Sequence, residues 1–237
     1  MYLIITRSFP PEVGGMQNLM WGLANELSKD YMIKVFADLH EKHKNFDEKV
    51  SFSIERVGGI KFFRKYRKAQ LINEFVKENK IKGLIADHWK SLELIKTNKK
   101  KICLIHGKEI NHQKGTNLNK RVLNVLNNVE RVVANSQYTK ELAIKCGVVE
   151  SKIIVINPGV DLVQELDEKI INKVEILLKQ KSPRLITVSR FDKRKNHEKV
   201  IMALRNLKQV YPNIIYICIG FGDEKQNIKK LVEELDL

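Results

Sequence analysis

The chain has 237 residues, 43% of them hydrophobic, and a formal net charge of +15. A hydrophobic share of this size supports a buried core and excludes a disordered chain, and the length suits one large domain or two modest ones. The charge predicts attraction to anions such as nucleotides, phosphate groups, acidic lipid or nucleic acid.

The first residues, MYLIITRSFPP, lack the basic start and the long apolar segment of a signal peptide. No run approaches the ~18 apolar residues of a membrane span. The cysteines Cys103, Cys146 and Cys218 are widely separated, which favours reduced thiols over a disulfide framework. These observations predict a cytoplasmic protein.

Short apolar runs alternate with amphipathic helical patterns along almost the whole chain. This alternation is typical of βαβ units and predicts an α/β fold with mostly parallel sheets covered on both faces. The predicted strands are 2–6, 33–37, 50–57, 83–86, 102–105, 131–134, 153–156, 185–189 and 214–219.

A composition shift after the turn Asn157-Pro158-Gly159-Val160-Asp161 predicts two domains. Residues 1–165, with seven predicted strands, would form an N-terminal Rossmann-like domain. Residues 162–181 carry a charged helical pattern, and the segment of about 166–181 is interpreted as a linker. Residues 182–237 would form a partial C-terminal Rossmann-like domain, because strand–helix–strand–helix is too little for a complete doubly wound domain.

The loop after the first predicted strand ends in Gly14-Gly15, directly before a helical pattern. Ligands of open parallel sheets bind outside the carboxyl ends of the strands. Paired glycines at a helix N-terminus let backbone N–H groups approach a phosphate closely. A simple tight turn is the alternative, and the GxGxxG dinucleotide fingerprint is absent.

Residues 61–68, KFFRKYRK, interleave five cations with three aromatic side chains. Such a segment is suited to resting on an anionic membrane surface. A solvated helix start is the alternative, and the sequence leaves both open.

Polar residues also follow three other predicted strands. His106 follows 102–105, where an imidazole can hydrogen-bond a substrate hydroxyl or serve the fold. Asn135 or Ser136 would cap the next helix, although Ser136 could also face a cleft. Asn157 begins the proline turn, which is interpreted mainly as structural, and it is a second cleft candidate.

The stretch 185–204, LITVSRFDKRKNHEKVIMAL, runs from a predicted strand through a cationic cluster into a helix. Cations beside a helix N-terminus make a site for a multiply charged anion, with a solvated basic turn as the alternative. Gly220 and Gly222 follow the last predicted strand and resemble a second nucleotide-facing loop. The cations are Arg190, Lys193, Arg194 and Lys195.

The sequence shows no His, Cys, Asp and Glu set at metal-ligand spacing, no Walker A sequence and no GxSxG elbow. We therefore expect neither a metal site nor a cofactor.

Together these loops resemble the family 4 glycosyltransferases, which have the GT-B fold. The resemblance implies two Rossmann-like domains facing each other across a cleft. The N-terminal one, 1–165, would be the acceptor-side domain, and the C-terminal one would hold most of the nucleotide-sugar. The matching motifs are Pro10-Pro11-x-x-Gly14-Gly15, His106-Gly107, Ala134-Asn135-Ser136-x-Tyr138-Thr139, Asn157-Pro158-Gly159-Val160-Asp161, Arg190-x-x-x-Arg194-Lys195 and Gly220-x-Gly222.

The resemblance also implies roles. Arg190 and Lys195 would hold the donor diphosphate and stabilise the leaving group, and His106 would contact the donor sugar. Gly14-Gly15 would close on the same phosphates or on the acceptor. Gly220 and Gly222 would also face the diphosphate.

The implied reaction moves a hexose-type sugar from a UDP-, GDP- or ADP-linked donor to a glycan or lipid acceptor, with retention of configuration and no metal. Synthesis of cell-envelope polysaccharide or lipopolysaccharide is the expected setting. Residues 61–68 would hold the enzyme at the inner face of the membrane by peripheral contact.

The family carries a Glu-x7-Glu segment further into the C-terminal domain and a last helix that crosses back. The sequence ends at Leu237, before either feature. We therefore expect a fragment that lacks full transferase activity.

Two other classes of function stay open at this point. One is a non-catalytic sugar-nucleotide-binding protein. The other is a nucleic-acid-binding basic protein, which the scattered cations and the lack of helix-turn-helix, RNP or zinc signatures disfavour.

Overall fold

Nine parallel strands form two separate sheets in residues 1–160 and 165–237, the part of the chain that this computed structural model describes. The chain divides between Asp161 and Leu162 into a first unit, Met1–Asp161, and a second unit, Leu162–Leu237. The predicted domain boundary at 165 adjoins residues 161–164. Those residues, including Asp161 of the predicted proline turn, lie outside the described part.

The first unit is built on a seven-stranded parallel sheet in the order β3-β2-β1-β4-β5-β6-β7. The chain steps outward from β1 to β3 and then returns to the other side of β1, so the order reverses between β1 and β4. Such a reversal opens a crevice at the carboxyl edge. The strands are β1 Tyr2–Ile5, β2 Ile33–Asp38, β3 Ser53–Val57, β4 Gly83–Ala86, β5 Lys100–Ile105, β6 Arg131–Ala134 and β7 Ile153–Val155.

Helices cover both faces of this sheet. Because successive side chains of a strand point to opposite faces, Leu3 and Ile5 join one apolar cluster while Ile4 joins the other. This confirms the predicted parallel sheet and all seven of its strands. The helices are α1 Gly15–Ser28, α2 Lys44–Asp47, α3 Lys61–Glu78, α4 Trp89–Leu92, α5 Asn117–Leu126 and α6 Gln137–Cys146.

The second unit has a two-stranded parallel sheet of β8 (Arg184–Val188) and β9 (Ile215–Ile219). The helices α7 (Glu168–Leu177), α8 (His197–Val210) and α9 (Lys225–Glu234) accompany it. Both strands predicted for the C-terminal domain are present.

The segment interpreted as a linker, 166–181, contains α7, which lies within the second unit. The Arg184 guanidinium donates hydrogen bonds at 3.0 Å to the carbonyl oxygens of Leu178 and Lys181. The end of α7 is therefore tied to the start of β8, and Leu178 is buried. None of the described helices is long and apolar enough to cross a membrane.

Candidate functional site

The end of β1 is fastened to the end of β4 by Asp87. Its buried carboxylate accepts hydrogen bonds from Thr6 Oγ1 at 2.7 Å and from the Arg7 backbone N–H at 3.0 Å. Its other oxygen accepts a bond from Ser91 Oγ at 2.8 Å. These contacts fix the start of the loop that leads to Gly14 at the carboxyl edge of the sheet.

His88 follows Asp87 and caps α4, accepting a hydrogen bond from the Lys90 backbone N–H on Nδ1 at 2.9 Å. Burial lowers the pKa of His88 to about 3, and the charges of Arg7 and Lys90 contribute to the shift. The imidazole is therefore neutral, with its proton on Nε2. Sequence reasoning missed His88 and Asp87, although both directly follow the predicted strand 83–86, which is the signal that could have found them.

His106 and Asn157 lie together on an apolar cavity of about 280 Å³ in the first unit, with Asn135 beside them. The backbone N–H of His106 donates to Glu109 Oε1, whereas its Nε2 is buried with no hydrogen-bond partner in the described residues. Asn157 Nδ2 donates to the Asn135 carbonyl oxygen at 3.3 Å. The unpaired nitrogen is a group that a ligand hydroxyl could satisfy.

Ser136 caps α6, as one interpretation of the sequence predicted. Its Oγ accepts a hydrogen bond from the Thr139 backbone N–H at 3.2 Å and donates one to Thr139 Oγ1 at 3.0 Å. Ser136 is not among the residues that line the cavity of His106. Its contacts serve the helix start.

The helix α1 begins at Gly15, with Gly14 in an extended conformation before it. No side chain of the described residues caps this N-terminus, and a Cβ atom added at Gly15 would meet nothing within 4 Å. In the described residues the N-terminus of α1 thus lacks a side-chain cap, and an uncapped helix N-terminus favours the approach of an anion.

In the second unit the cationic cluster forms a 3-10 turn, Lys193–Lys195, between β8 and α8. Asp192 caps this turn and binds Arg194, with Nη2 of the arginine 2.8 Å from Oδ2. These bonds hold the pKa of Asp192 well below its usual range. Arg194 is thus engaged by its neighbour, whereas Lys195 is exposed and has no carboxylate within 4.0 Å in the described parts of the chain.

The buried side chain of His197 holds the same loop through hydrogen bonds. His197 Nε2 lies 3.1 Å from Ser189 Oγ, and its Nδ1 lies 3.3 Å from the Tyr216 hydroxyl. That hydroxyl donates to Thr187 Oγ1 at 2.9 Å, and Phe191 packs edge-on against the imidazole at 5.1 Å. This network fixes the backbone around Arg190, whose side chain is exposed.

Gly220 and Gly222 pack their backbone directly against this loop. A Cβ atom at Gly220 would overlap the Ser189 carbonyl oxygen, and one at Gly222 would overlap that of Phe191. Both glycines have positive φ, 157° and 150°. Close approach of two loops therefore already requires glycine at these positions.

Within residues 1–160 and 165–237, no three His, Cys, Asp or Glu side chains are grouped so that they could hold a metal ion.

A doubly wound first unit and a second parallel α/β unit with a cationic strand–helix loop define a protein of two Rossmann-like units of the GT-B type. The chain belongs to Glycosyltransferase Family 4, whose family model matches residues 13–164. The model of the glycosyl transferases group 1 matches residues 168–237.

Several solved structures share the fold at low sequence identity. Anabaena Alr3699/HepE in complex with UDP is 17% identical at a TM-score of 0.79, over 100% of this chain and 66% of that one. Sucrose-phosphate synthase from Thermosynechococcus elongatus is 16% identical at a TM-score of 0.74, over 100% and 67%. The lipopolysaccharide outer core galactosyltransferase WaaB is 13% identical at 0.63, over 100% and 65%. The chain thus spans about two thirds of the length of these proteins. The search of curated protein sequences gave no match.

Proposed function

We propose that this chain belongs to a glycosyltransferase that moves a sugar from a nucleotide-sugar donor to a glycan or lipid acceptor. The observation that carries the proposal is the cationic loop at the carboxyl end of β8, in a chain of Glycosyltransferase Family 4. HepE, which shares the fold, has been solved with UDP and with UDP-glucose.

In this proposal Arg190 and Lys195 bind the donor diphosphate. Both side chains are exposed, and the His197 network holds the backbone that carries them. As the glycosidic bond to the diphosphate breaks, negative charge grows on the departing phosphate oxygen. Fixed cations stabilise that charge more in the transition state than in the ground state.

The two glycine pairs have different parts in the proposal. The open N-terminus of α1 lets Gly14 and Gly15 bring backbone N–H groups to the phosphates or to the acceptor. Gly220 and Gly222 let the β9 loop pack against the cationic loop, which sets the position of the diphosphate that both would face.

We assign the donor sugar to His106. Its buried Nε2 has no hydrogen-bond partner among residues 1–160 and 165–237, and an unsatisfied buried polar atom costs about 1–3 kcal/mol. A sugar hydroxyl bonded to this nitrogen would remove that cost. Asn157, on the same cavity, is the second candidate contact.

We further propose transfer of a hexose-type sugar with retention, in cell-envelope glycan synthesis. The bond between the anomeric carbon and the acceptor oxygen forms on the face from which the diphosphate leaves, and the departing phosphate oxygen takes the acceptor proton. The family resemblance supports retention. The names of two proteins that share the fold, HepE with UDP-glucose and WaaB as an outer core galactosyltransferase, support the sugar and the setting.

The start of α3 is proposed as a contact with an anionic membrane surface at its cytoplasmic face. Phe62, Phe63 and Tyr66 are all exposed, and the two phenylalanine rings lie 5.3 Å apart. Of the five cations of 61–68, Lys68 is buried on Asp38 and on the Thr6 carbonyl oxygen and faces the fold. The exposed aromatic rings are therefore the main element of this surface.

The donor assignment is tested by titrating the chain with UDP, GDP and ADP. We expect one of them to bind, with an affinity that Lys195→Gln lowers by about tenfold or more through loss of a charge-assisted contact. Arg194→Gln is the matched control, because Asp192 already engages that guanidinium, and it should change the affinity by less than about twofold.

Failure of all three nucleotides to bind, or equal losses in both variants, would contradict the donor assignment. Binding of a nucleotide-sugar without transfer to any acceptor would instead favour a non-catalytic sugar-nucleotide-binding protein.

A further inference from the structure

A second cavity of the first unit, with a volume of about 350 Å³, lies at the carboxyl edge of its sheet. Arg7 reaches it from the loop after β1, Lys65 from the start of α3 and Lys90 from α4 after β4. It shares no lining residue with the apolar cavity of His106. Its position is where open parallel sheets bind ligands.

The side chains that line this cavity are strongly unbalanced in charge, with seven cations against two carboxylates, Asp38 and Glu93. Both carboxylates are already engaged. Asp38 accepts hydrogen bonds from Lys68 and Arg64, and Glu93 binds Arg121 through two bonds of 2.6 and 2.9 Å.

Four cations are left over after these pairs form. Arg7, Lys61, Lys65 and Lys90 have no carboxylate within 4.0 Å anywhere in the described ranges. Burial lowers the pKa of Lys90, and the nearby charges of Arg7 and Arg121 lower it further. Cations this close to one another repel, and an anion bound among them would relieve that repulsion.

We propose that this cavity binds a phosphate-ester group carried by the acceptor, an inference that rests on the proposed transferase function. Arg7, Lys65 and Lys90 donate charge-assisted hydrogen bonds to the phosphate oxygens. A phosphate monoester carries a charge of about −1.5 to −2 at pH 7, which matches several cations better than a single carboxylate does.

The wall of the cavity indicates what the phosphate is attached to. Phe62 lines the cavity and is 65% exposed, so an apolar surface adjoins the cations. The helix α3 begins beside it without a side-chain cap, and its dipole adds positive potential. A phosphate attached to an apolar or sugar group would meet both the cations and the adjoining apolar surface. The acceptor can then be lipid-linked or a free phosphorylated sugar.

Trp89 provides a direct readout of this cavity. Its buried indole lies 5.2 Å from Lys90 Nζ and 5.5 Å from the Arg121 guanidinium carbon. The chain has one other tryptophan, Trp21. In a Trp21→Phe background the fluorescence of Trp89 therefore reports on occupancy of the cavity.

The test titrates this background with sn-glycerol 3-phosphate at constant ionic strength. We expect saturable binding that Arg7→Gln with Lys90→Gln weakens by about tenfold or more. Lys77→Gln with Lys80→Gln removes the same charge at the other end of α3 and should change the affinity by less than about twofold. The conservative pair Arg7→Lys with Lys90→Arg should keep most of the affinity and shows that the fold is intact.

A second arm measures pelleting with phosphatidylcholine vesicles that contain phosphatidic acid, a lipid whose headgroup is a phosphate monoester. If the acceptor is lipid-linked, the Arg7 and Lys90 variant lowers pelleting more than the Lys77 and Lys80 control does. If it is a free phosphorylated compound, the loss is confined to sn-glycerol 3-phosphate.

Absence of saturable binding in both arms, or equal losses in the two charge-matched variants, overturns the inference. Parallel titration with the nucleotide that the chain binds keeps the two proposals apart. Nucleotide binding without binding in either arm removes only the acceptor site, whereas binding in an arm without nucleotide binding removes the transferase assignment together with the acceptor role.

Discussion

The Asp87 carboxylate accepts a hydrogen bond from the Thr6 hydroxyl at 2.7 Å, and this contact joins the ends of β1 and β4. The two strands flank the reversal of strand order, so the bond lies where the crevice of the sheet opens. Arg7 and Lys90 follow these two strand ends. Both line the second cavity of the first unit, the basic cavity, whose wall holds seven cations. The spacing of the cavity walls therefore depends on the buried carboxylate of Asp87, which is not itself a lining residue of the cavity.

We expect Asp87→Asn to destabilise the chain by about 1–3 kcal/mol, because a buried acceptor of three hydrogen bonds is replaced by a group that accepts on one oxygen only. Urea unfolding followed by circular dichroism measures the change. Asp30→Asn, at an exposed position without an ion pair among the described residues, should be near neutral. Equal stabilities of the two variants would show that Asp87 does not fasten the strands.

Two glycine-to-alanine changes should alter the free energy of unfolding in opposite directions. Gly220→Ala should destabilise the chain by about 3 kcal/mol, because the new methyl overlaps the Ser189 carbonyl oxygen at a positive φ. Gly22→Ala, inside α1 with nothing within 4 Å, should stabilise it by about 0.5–1 kcal/mol. Thermal unfolding of both variants decides this, and a harmless Gly220→Ala would rule out the close packing of the two loops.

Stability should depend on pH through His88. Its folded pKa of about 3 lies below the ordinary value of 6.5, so between these values the unfolded chain binds more protons than the folded one. The free energy of unfolding is therefore expected to fall as the pH drops below 6.5. His88→Asn keeps a capping acceptor for α4 and should remove this part of the loss between pH 7 and pH 5.

His40→Asn is the control for that measurement, because His40 Nδ1 also accepts a backbone N–H, that of Lys42. It should leave the loss on acidification in place. A direct check is the NMR titration of the His88 ring, whose shifts should stay constant from pH 8 to pH 5. A midpoint near 6.5 would show that His88 is not held neutral.

The aromatic start of α3 should decide any binding to membranes. We expect Phe62→Ser with Phe63→Ser to lower pelleting with phosphatidylglycerol-containing vesicles by about tenfold or more, since each ring would lose apolar burial in the interface. Phe221→Ser removes an equally exposed ring from the second unit and serves as the control. If both variants pellet like the parent chain, the membrane surface is not at α3.

The sequence predicted all nine strands, because several of them are continuous apolar runs, as strands covered on both faces should be, and the regular alternation of strand and helix patterns marks the others. It also placed His106, Asn157 and the cationic cluster at strand ends. The carboxyl ends of all strands in a parallel sheet lie along the same edge. A residue that follows such a strand in the sequence is therefore predicted to lie at that edge. The contact of Arg184 in β8 with the end of α7 was not visible in the sequence, because no spacing pattern in the chain marks it.

Only the tertiary structure decided which charged side chains are already paired within the protein and which can bind a ligand. Arg194 and Lys195 are neighbours in sequence, yet Asp192 engages only the first. Lys68 and Lys65 lie one turn apart on α3, yet Lys68 is buried on Asp38 while Lys65 faces the basic cavity. Composition and spacing fix how many charges a segment carries. The partner that each charge meets depends on how helices pack on the sheet, and that packing joins residues far apart in the chain.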